Sequence, residues 1–424
     1  MDRALDREIL RLALPALGAL LVEPLVSAVD TAFVGRLGAV PLAALGITTA
    51  LLGLFFVVFN FLAYATTPRV AYALGRGDHR LVRLRAREAL WLSLVLGVLA
   101  TLVLEVAAPW LVRAMGAGPE VFPAALGYLR LRALAGLAIL VMTAAQGIYR
   151  GLQDTRTPFV VALWVNLLNA FLDPVFILLL GLGLQGAALA SVLAQTLGAA
   201  WFFLLLLRVG AFGPFPGWQA LLPYLRVGGE MFVRTLSLVG AITAAAAFAA
   251  RIGVVAVAAH QVLWQVWWFL AMGLDALAIA AQALVAKLRG ASPEMARQAV
   301  RRLLFWGLLL GVLLVPLLAV TGRLILALFT PEPAVQKAAL GVWPVVVLAT
   351  PLNALVFVLD GIFMGLEHFR LQAGVMVVAA LIGLFLFFTL SPGLGLLGLW
   401  LGMAGMNVVR AAGLLFYLWR ERWA

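Results

Sequence analysis

Two aspartates lie inside long apolar stretches of this chain, Asp30 within residues 9–34 and Asp173 within residues 158–180. An ionisable side chain inside a membrane-spanning helix costs about 2.5–3.5 kcal/mol on insertion scales, so such a residue indicates function. Asn169 precedes Asp173 by four residues and shares its helix face. Acids in an apolar setting near one another tend to share protons. The three residues predict a site for a proton, with Na⁺ near Asp30 and Asp173 as an alternative. The competing interpretation gives the aspartates a structural role only, as neutral or hydrogen-bonded residues near a helix end.

Four further polar residues of the same half lie inside apolar stretches and are weaker candidates: Tyr128, Gln146, Asn166 and Ser191. A single polar side chain in such a helix more often takes part in a hydrogen bond between helices than in a site. On the residues alone, that interpretation is preferred for each of them.

Three other residues predict features of the helices themselves. Pro15 lies midway along the first apolar stretch, where a proline predicts a kink. Arg234 and Asp360 have opposite charges within apolar stretches of the second half. We expect these two to form a structural ion pair rather than a contact with a substrate.

The sequence lacks the residue groups that catalysis, metal binding and nucleotide binding need. It contains no cysteine, and His79, His260 and His368 are scattered. The glycine pattern of residues 181–186 matches a dinucleotide fingerprint, but its copy at 393–398 marks it as a glycine turn between helices. No enzyme activity, no cofactor and no firm metal site are therefore expected.

The composition is that of a membrane protein. Hydrophobic residues make up 65% of the 424, charged residues 11%, and the mean hydropathy is +1.10, whereas soluble domains are roughly half apolar and about a quarter charged. Stretches of about 20 apolar residues suffice for a spanning helix, and only helices or closed barrels span lipid. We predict an all-α protein with twelve spans, at 9–34, 42–68, 88–110, 122–147, 158–180, 186–207, 222–249, 253–285, 303–327, 336–363, 370–390 and 395–418.

The two halves of the chain repeat each other at an offset of 212 to 215 residues. FVGRLG at 33–38 returns as FAARIG at 248–253, and GLGLQG at 181–186 returns as GLGLLG at 393–398. This predicts two six-helix lobes, residues 1–207 and 222–424, with a linker at 208–221. Because six is an even number, both lobes start on the same side, and a pseudo-two-fold axis along the membrane normal follows. Such a duplication is typical of transporters.

The net charge of +12 is distributed as an orientation signal rather than as a nucleic-acid surface. Most of the 30 lysines and arginines precede or follow apolar stretches on one side, which places both termini in the cytoplasm of a prokaryotic plasma membrane. The basic segments 75–91 and 287–306 look like amphipathic surface helices, but the preferred interpretation is that they are solvated signals of membrane topology. The expected partners are the lipid bilayer and small organic molecules, with no nucleic acid, and the chain is expected to be a monomer.

Residues 24–38, which read PLVSAVDTAFVGRLG, resemble the first helix of the multidrug and toxic compound extrusion (MATE) family, in its DinF-type branch. Residues 147–158, GIYRGLQDTRTP, resemble that family's segment between helices 4 and 5, and Asn169 and Asp173 fit its helix-5 pair. The resemblance covers essentially the whole chain. It implies two six-helix bundles that open alternately to each side, and export driven by inward H⁺ or Na⁺.

The resemblance also implies roles for the candidate residues. Asp30, Tyr128, Asn169 and Asp173 correspond to the family's cation and substrate network. Gln146 and Ser191 stand where it has amide and hydroxyl partners, and Asn166 is counted with them in a supporting polar network of the substrate cavity. Pro15 matches a bending proline. The Na⁺-dependent branch is expected to have an acid near position 234, where this chain has Arg234. This departure favours H⁺ over Na⁺ as the coupling ion.

The preferred function is thus a cation-coupled, proton-driven antiporter that exports organic, often cationic or amphipathic compounds. The alternatives are a Na⁺-coupled drug exporter and a flippase for lipid-linked oligosaccharides, which would need a large cationic cavity. A non-transporting membrane scaffold is disfavoured by acids present in one lobe only.

Overall fold

The computed structural model describes residues 2–421, and the side chains of all of these except Asp2 and Glu23. This part of the chain forms fourteen α-helices and no strand. A 3₁₀ turn at Val58–Asn60 and a π-helical turn at Val175–Leu179 interrupt the regular helices. The helices are α1 (Asp2–Gly35), α2 (Ala39–Val57), α3 (Phe61–Gly75), α4 (His79–Ala114), α5 (Phe122–Ala133), α6 (Gly136–Gly151), α7 (Arg156–Pro174), α8 (Gly183–Val209), α9 (Trp218–Ile252), α10 (Val254–Ala291), α11 (Pro293–Phe329), α12 (Pro333–Gly365), α13 (Phe369–Leu394) and α14 (Leu396–Arg420).

The prediction of an all-helical membrane protein is confirmed. Within the described residues, eleven segments are long and apolar enough to cross a membrane. One of them combines α2 and α3, and another combines α7 with the π-helical turn. The pair α5 and α6 is bent by 48° and provides a twelfth span if it crosses as one unit.

The segments 75–91 and 287–306 are not separate surface helices, which was the less favoured of their two interpretations. Residues 79–91 are the first turns of α4, and residues 287–306 are shared between the end of α10 and the start of α11. These helices have 36, 38 and 37 residues. At 1.5 Å per residue they are about 54–57 Å long, more than the ~30 Å of hydrocarbon. The basic residues therefore lie on the projecting ends of spanning helices.

The described chain divides into two compact units, each with its own apolar core. The first unit is residues 14–228, and the second unit is residues 2–13 together with 229–421. Both divisions fall inside a helix, one in α1 beside Pro15 and one in α9 between Gly228 and Gly229. The irregular segment between α8 and α9 covers 210–217. The lobes 1–207 and 222–424 with a linker at 208–221 stay a prediction.

The first residues of α1 are anchored within the second unit. Ile9 is 0% exposed and belongs to a core with α10, α11, α12 and α14. The guanidinium group of Arg302 binds both carboxylate oxygens of Asp6, at 2.5 and 2.6 Å, and Lys287 binds Glu8 at 2.6 Å. Two acid–base contacts and buried apolar side chains thus fix this segment of α1.

The internal repeat is visible in the backbone of the turns. Gln153 and Glu367, 214 positions apart, are the two non-glycine residues with positive φ in the described chain, at 64° and 62°. A left-handed backbone is uncommon for residues with a side chain. Gly38 and Gly253, at φ 116° and 145°, precede α2 and α10. Equivalent positions of the two halves thus share conformations that local sequence rarely favours.

Candidate functional site

An acid pair lies in the first unit, where α1 meets α7. The side-chain amide nitrogen of Asn169 donates to Asp30 Oδ1 at 3.0 Å and to Asp173 Oδ2 at 3.1 Å. Because one nitrogen reaches both oxygens, the two carboxyl groups are at most about 6 Å apart at these atoms. The structure thus brings together the three residues that the sequence singled out as a proton site.

The two acids differ in their surroundings. Asp173 is 0% exposed, whereas Asp30 is half-buried. Asp173 Oδ1 is buried without a hydrogen-bond donor in the described chain, and Asp173 interacts electrostatically with Asp30. An ionised carboxylate only accepts hydrogen bonds, whereas a protonated one also donates. A direct bond between these two acids therefore requires a proton on one of them.

The local backbone at Asp173 is irregular. Pro174 follows it and ends α7, and the chain continues through the π-helical turn, in which Leu180 N–H donates to Val175 C=O at 2.9 Å. Proline lacks an N–H and leaves a carbonyl one turn earlier without its usual partner. Single π-helical turns of this kind occur frequently at functional sites.

Tyr128 lies near the acid pair on α5, and it brings a cation that the sequence analysis did not identify. Tyr128 is 5% exposed and interacts electrostatically with Arg132, Asp30 and Asp173. Arg132 also donates to Gln195 Oε1 of α8 at 2.8 Å. Arg132 was not among the predicted site residues, although it lies within the predicted span 122–147. Its position four residues after Tyr128, on the same helix face, was the signal that could have identified it.

The supporting residues are less closely grouped. Gln146 accepts from Arg150 at 3.3 Å, and Asn166 donates to the carbonyl of Ala162 at 2.8 Å. Each of these bonds stays within one helix, so the structure does not bring either amide to the acid pair. Ser191 is buried on α8.

Pro15 lies inside α1, which is helical on both sides of it. Its predicted role as a bend stays a prediction. It does stand two residues after the point at which α1 passes from the second unit to the first.

The second unit holds a buried charge cluster instead of an acid pair. Arg234 and Asp360 form an ion pair at 2.7 Å. Arg410 of α14 binds the same oxygen, Asp360 Oδ2, at 2.6 Å. Arg410 was not among the predicted site residues, but it is only 5% exposed inside a spanning helix. Its distance from the end of an apolar stretch was the available signal.

Two asparagines extend this cluster. Asn407 Oδ1 accepts from Arg410 at 2.9 Å, and Asn407 Nδ2 donates to Asn353 Oδ1 of α12 at 2.9 Å. Gln372 of α13 donates to the Asp360 carbonyl at 2.9 Å. Buried polar groups are thus connected in a network across α9, α12, α13 and α14.

A cavity adjoins this network within the second unit. It contains about 460 Å³ of space without protein atoms, including the part that is open to solvent. Its polar lining is Asn353, Asn407 and Arg410, and no acidic residue is among the described residues that line it. Its apolar lining includes Trp264, Trp267, Trp400, Met403 and Met406.

Comparison with known protein families gives one family for both halves of the chain. The MatE family matches residues 15–175 and again residues 232–389. The two matches cover most of the chain and reproduce its internal duplication.

Several curated proteins are similar over most of their length. Protein DETOXIFICATION 44, a chloroplastic protein of Arabidopsis thaliana, is 35% identical over 93% of this chain and 79% of its own. DNA damage-inducible protein F of Escherichia coli (strain K12) is 28% identical over 99% and 93%. A probable multidrug resistance protein NorM of Rhizobium meliloti is 32% identical over 61% and 58%.

Solved structures share the fold at low sequence identity. A MATE crystal structure in the bent conformation superposes with a TM-score of 0.90 over 98% of this chain and 95% of that one, at 23% identity. An outward-facing multidrug resistance MATE transporter gives 0.87 over 98% and 96%, at 24% identity.

Proposed function

Because this chain belongs to the MatE family of membrane transporters, we propose that it is a proton-coupled antiporter that exports organic, amphipathic compounds by alternating access. Its likeness to DNA damage-inducible protein F over nearly the whole chain agrees with the DinF-type branch. The relatives called multidrug resistance proteins support a small-molecule substrate.

The observation that carries the proton proposal is the arrangement of Asp30, Asn169 and Asp173. The amide nitrogen of Asn169 lies between the two carboxyl groups, at the position that a Na⁺ ion would need in order to bind both. A proton needs no such space, since it is held by a single carboxyl oxygen. The geometry therefore favours H⁺ over Na⁺ as the coupling ion.

In the proposed cycle, a proton from outside reaches the half-buried Asp30 and passes to the fully buried Asp173. Its arrival removes one negative charge and weakens the bonds from Asn169 that connect α1 to α7. The freed part of α1 then bends near Pro15 and the substrate leaves outward. The proton leaves to the inside after the transporter reorients.

The available energy is sufficient for export. A membrane potential supplies about 2.3 kcal/mol per charge per 100 mV, and each pH unit about 1.4 kcal/mol. For a neutral substrate, one proton then supports a concentration ratio of order tens to a few hundred. We further propose a prokaryotic plasma membrane location, cytoplasmic termini, a monomer, and no cofactor.

The test is transport by the full chain in proteoliposomes, with a pH gradient or a Na⁺ gradient imposed separately. Ethidium and the anion 1-naphthoate serve as probe substrates. We expect wild-type transport of at least one probe with the pH gradient, and its loss in Asp30→Asn and Asp173→Asn. Glu105→Gln is the matched control, because Glu105 is also an acid in a spanning helix. Its carboxylate lies 4.0 Å from the guanidinium group of Arg130.

Transport by Asp30→Asn with the pH dependence of the wild type would contradict the proton proposal. Transport driven only by the Na⁺ gradient would instead identify a Na⁺-coupled exporter. If neither gradient drives transport but a fluorescent lipid-linked sugar crosses the bilayer, the flippase alternative holds.

A further inference from the structure

We propose that the cavity of the second unit binds the aromatic body and the anionic group of an amphipathic organic anion. We call it the tryptophan cavity, lined by Trp264, Trp267, Trp400, Asn353, Asn407 and Arg410. The inference rests on the proposed export function, because it names the class of compound that this function would carry.

The apolar walls of the tryptophan cavity suit a flat ring. Trp264 and Trp267 are stacked, with ring centroids 4.8 Å apart and planes 18° apart. Met403 and Met406 also line the cavity, and thioethers make favourable contacts with aromatic rings. An aromatic compound can therefore exchange water for indole faces and methionine sulfur.

The polar end of the tryptophan cavity suits a negative charge. Arg410, Asn353 and Asn407 line it, and no acid does so among the described residues. A guanidinium group presents several N–H donors in a plane that matches a carboxylate. An organic cation would instead place its charge beside Arg410 with no lining carboxylate to offset it.

Arg410 is also incompletely compensated by protein. One carboxylate oxygen of its acidic partner Asp360 accepts from Arg410 at 2.6 Å and from Arg234 at 2.7 Å. Asp360 is thus shared between two guanidinium groups, and no second carboxylate contacts Arg410 among the described residues. Because Arg410 is 95% shielded from solvent, a residual charge there is costly, and a bound anion would reduce that cost.

The cavity wall also contains a hydrogen-bond donor that lacks an acceptor. The indole nitrogen of Trp400, a residue only 3% exposed, has no hydrogen-bond partner in the described part of the chain. Buried donors in native proteins nearly always have an acceptor from protein, water or ligand. A carboxylate held by Arg410 would bring acceptor oxygens to this lining.

The test compares three probes that share one ring and differ in charge: 1-naphthoate, 1-naphthylmethanol and 1-naphthylmethylammonium. Binding to the detergent-solubilised full chain is measured by isothermal titration calorimetry near neutral pH. We expect 1-naphthoate to bind at least about tenfold more tightly than either analogue, which corresponds to about 1.4 kcal/mol. Equal or tighter binding of the ammonium probe would overturn the proposal.

Variants then locate the site. Arg410→Gln should abolish the preference for 1-naphthoate over the alcohol, and Arg410→Lys should retain part of it. Trp267→Ala should weaken the binding of all three probes by similar factors. This variant tests the site independently if Arg410→Gln does not fold. Arg323→Gln is the control, because Arg323 is an exposed residue of α11 that does not line the cavity. An unchanged preference in folded Arg410→Gln refutes the assignment.

The outcome is separable from that of the proposed function. Asp30→Asn should bind 1-naphthoate as the wild type does, since Asp30 belongs to the first unit. Proton-driven export of ethidium without 1-naphthoate binding would contradict only the anion site. Binding of 1-naphthoate at Arg410 with no transport of any probe by a pH gradient would support the site and contradict proton-coupled export.

Discussion

At the scale of single residues, the two units use opposite chemistry at their buried polar sites. In the first unit an amide lies between two acids, Asp30 and Asp173. In the second unit an acid, Asp360, lies between two guanidinium groups. Each arrangement holds like charges close together through one central group. Removal of the central group should therefore affect function more than the loss of one ordinary hydrogen bond.

Asn169→Ala tests this for the acid pair. The substitution removes the donor that both carboxyl groups accept from, and a hydrogen bond to a charged group contributes about 1.5–3 kcal/mol. We expect pH-gradient-driven transport to fall by about 10- to 100-fold, measured as the initial rate in proteoliposomes. Asn166→Ala is the matched control, because Asn166 bonds only to a carbonyl of its own helix. Equal losses in the two variants would contradict a specific role for Asn169.

At the scale of helices, apolar stretches predicted the spans well but not their breaks. The bend between α5 and α6 at residues 134–135 and the π-helical turn after Pro174 lie inside two of the predicted spans, 122–147 and 158–180. Hydropathy reports how a residue partitions into lipid, whereas these breaks depend on contacts with other helices. Gly136, for example, begins α6 where a Cβ atom would lie 2.6 Å from Thr101 Oγ1.

The candidate site was predictable to a similar extent. Asp30, Asn169 and Asp173 were identifiable because polar side chains are costly in a spanning helix. Arg132 and Arg410 were identifiable only in part: each stands well inside a predicted span, 122–147 or 395–418, but the same local sequence fits a side chain that reaches water and one that turns inward. Only the tertiary contacts with Gln195 and Asp360 distinguish these two possibilities.

The turn between α12 and α13 should respond to pH. Burial, and next the positive charge of Arg289, lower the pKa of His368 below its ordinary value. The folded state thus favours neutral His368, and below the ordinary histidine pKa of about 6.5 the unfolded chain binds more protons. This contribution to stability is present above that pH and is lost as the pH falls through it.

The measurement is the thermal unfolding midpoint at about pH 7.5 and about pH 5, on either side of that pKa. The wild-type midpoint should fall more between the two values than that of His368→Gln. His79→Gln is the control, because His79 is exposed at the start of α4. A wild-type pH dependence in His368→Gln would show that His368 does not contribute.

At the scale of the whole molecule, the duplicated backbone carries diverged side chains. Equivalent turns keep the same left-handed backbone conformation, at Gln153 and Glu367. By contrast, the position equivalent to Asp30 is Ala245 at an offset of 215, and the position equivalent to Asp360 is Gln146 at an offset of 214. Shared turns maintain the helix order of each unit, while the spans differ in the charges they bury. The repeat therefore predicts the architecture, and its differences indicate the chemistry.

The membrane orientation is directly testable because the chain contains no cysteine. Glu120 lies in the connection between α4 and α5, and Glu294 lies in the first turn of α11; both are exposed. With cytoplasmic termini, Glu120→Cys faces outward and Glu294→Cys faces inward. In intact cells a membrane-impermeant maleimide should label the first and spare the second until the cells are permeabilised. The reverse pattern would invert the proposed topology.

The charge of the substrate decides how strongly the membrane potential drives the whole cycle. Inward movement of one proton with outward movement of a monovalent cation transfers no net charge, so an inside-negative potential adds nothing to export. With a monovalent anion the same cycle transfers two charges, and about 100 mV then contributes about 4.6 kcal/mol, twice the single-charge value. A compound held at Arg410 would therefore be exported with the larger driving force.

A potassium diffusion potential set by valinomycin in proteoliposomes measures this effect at a fixed pH gradient. Export of 1-naphthoate should accelerate as the compartment from which it leaves is made more negative, whereas ethidium transport should respond little. Arg410→Gln should lower the rate for 1-naphthoate at every potential, and by a larger factor than it lowers the rate for ethidium. Since the potential acts on net charge alone, a 1-naphthoate flux that is insensitive to it would mean that the anion does not cross together with an inward proton.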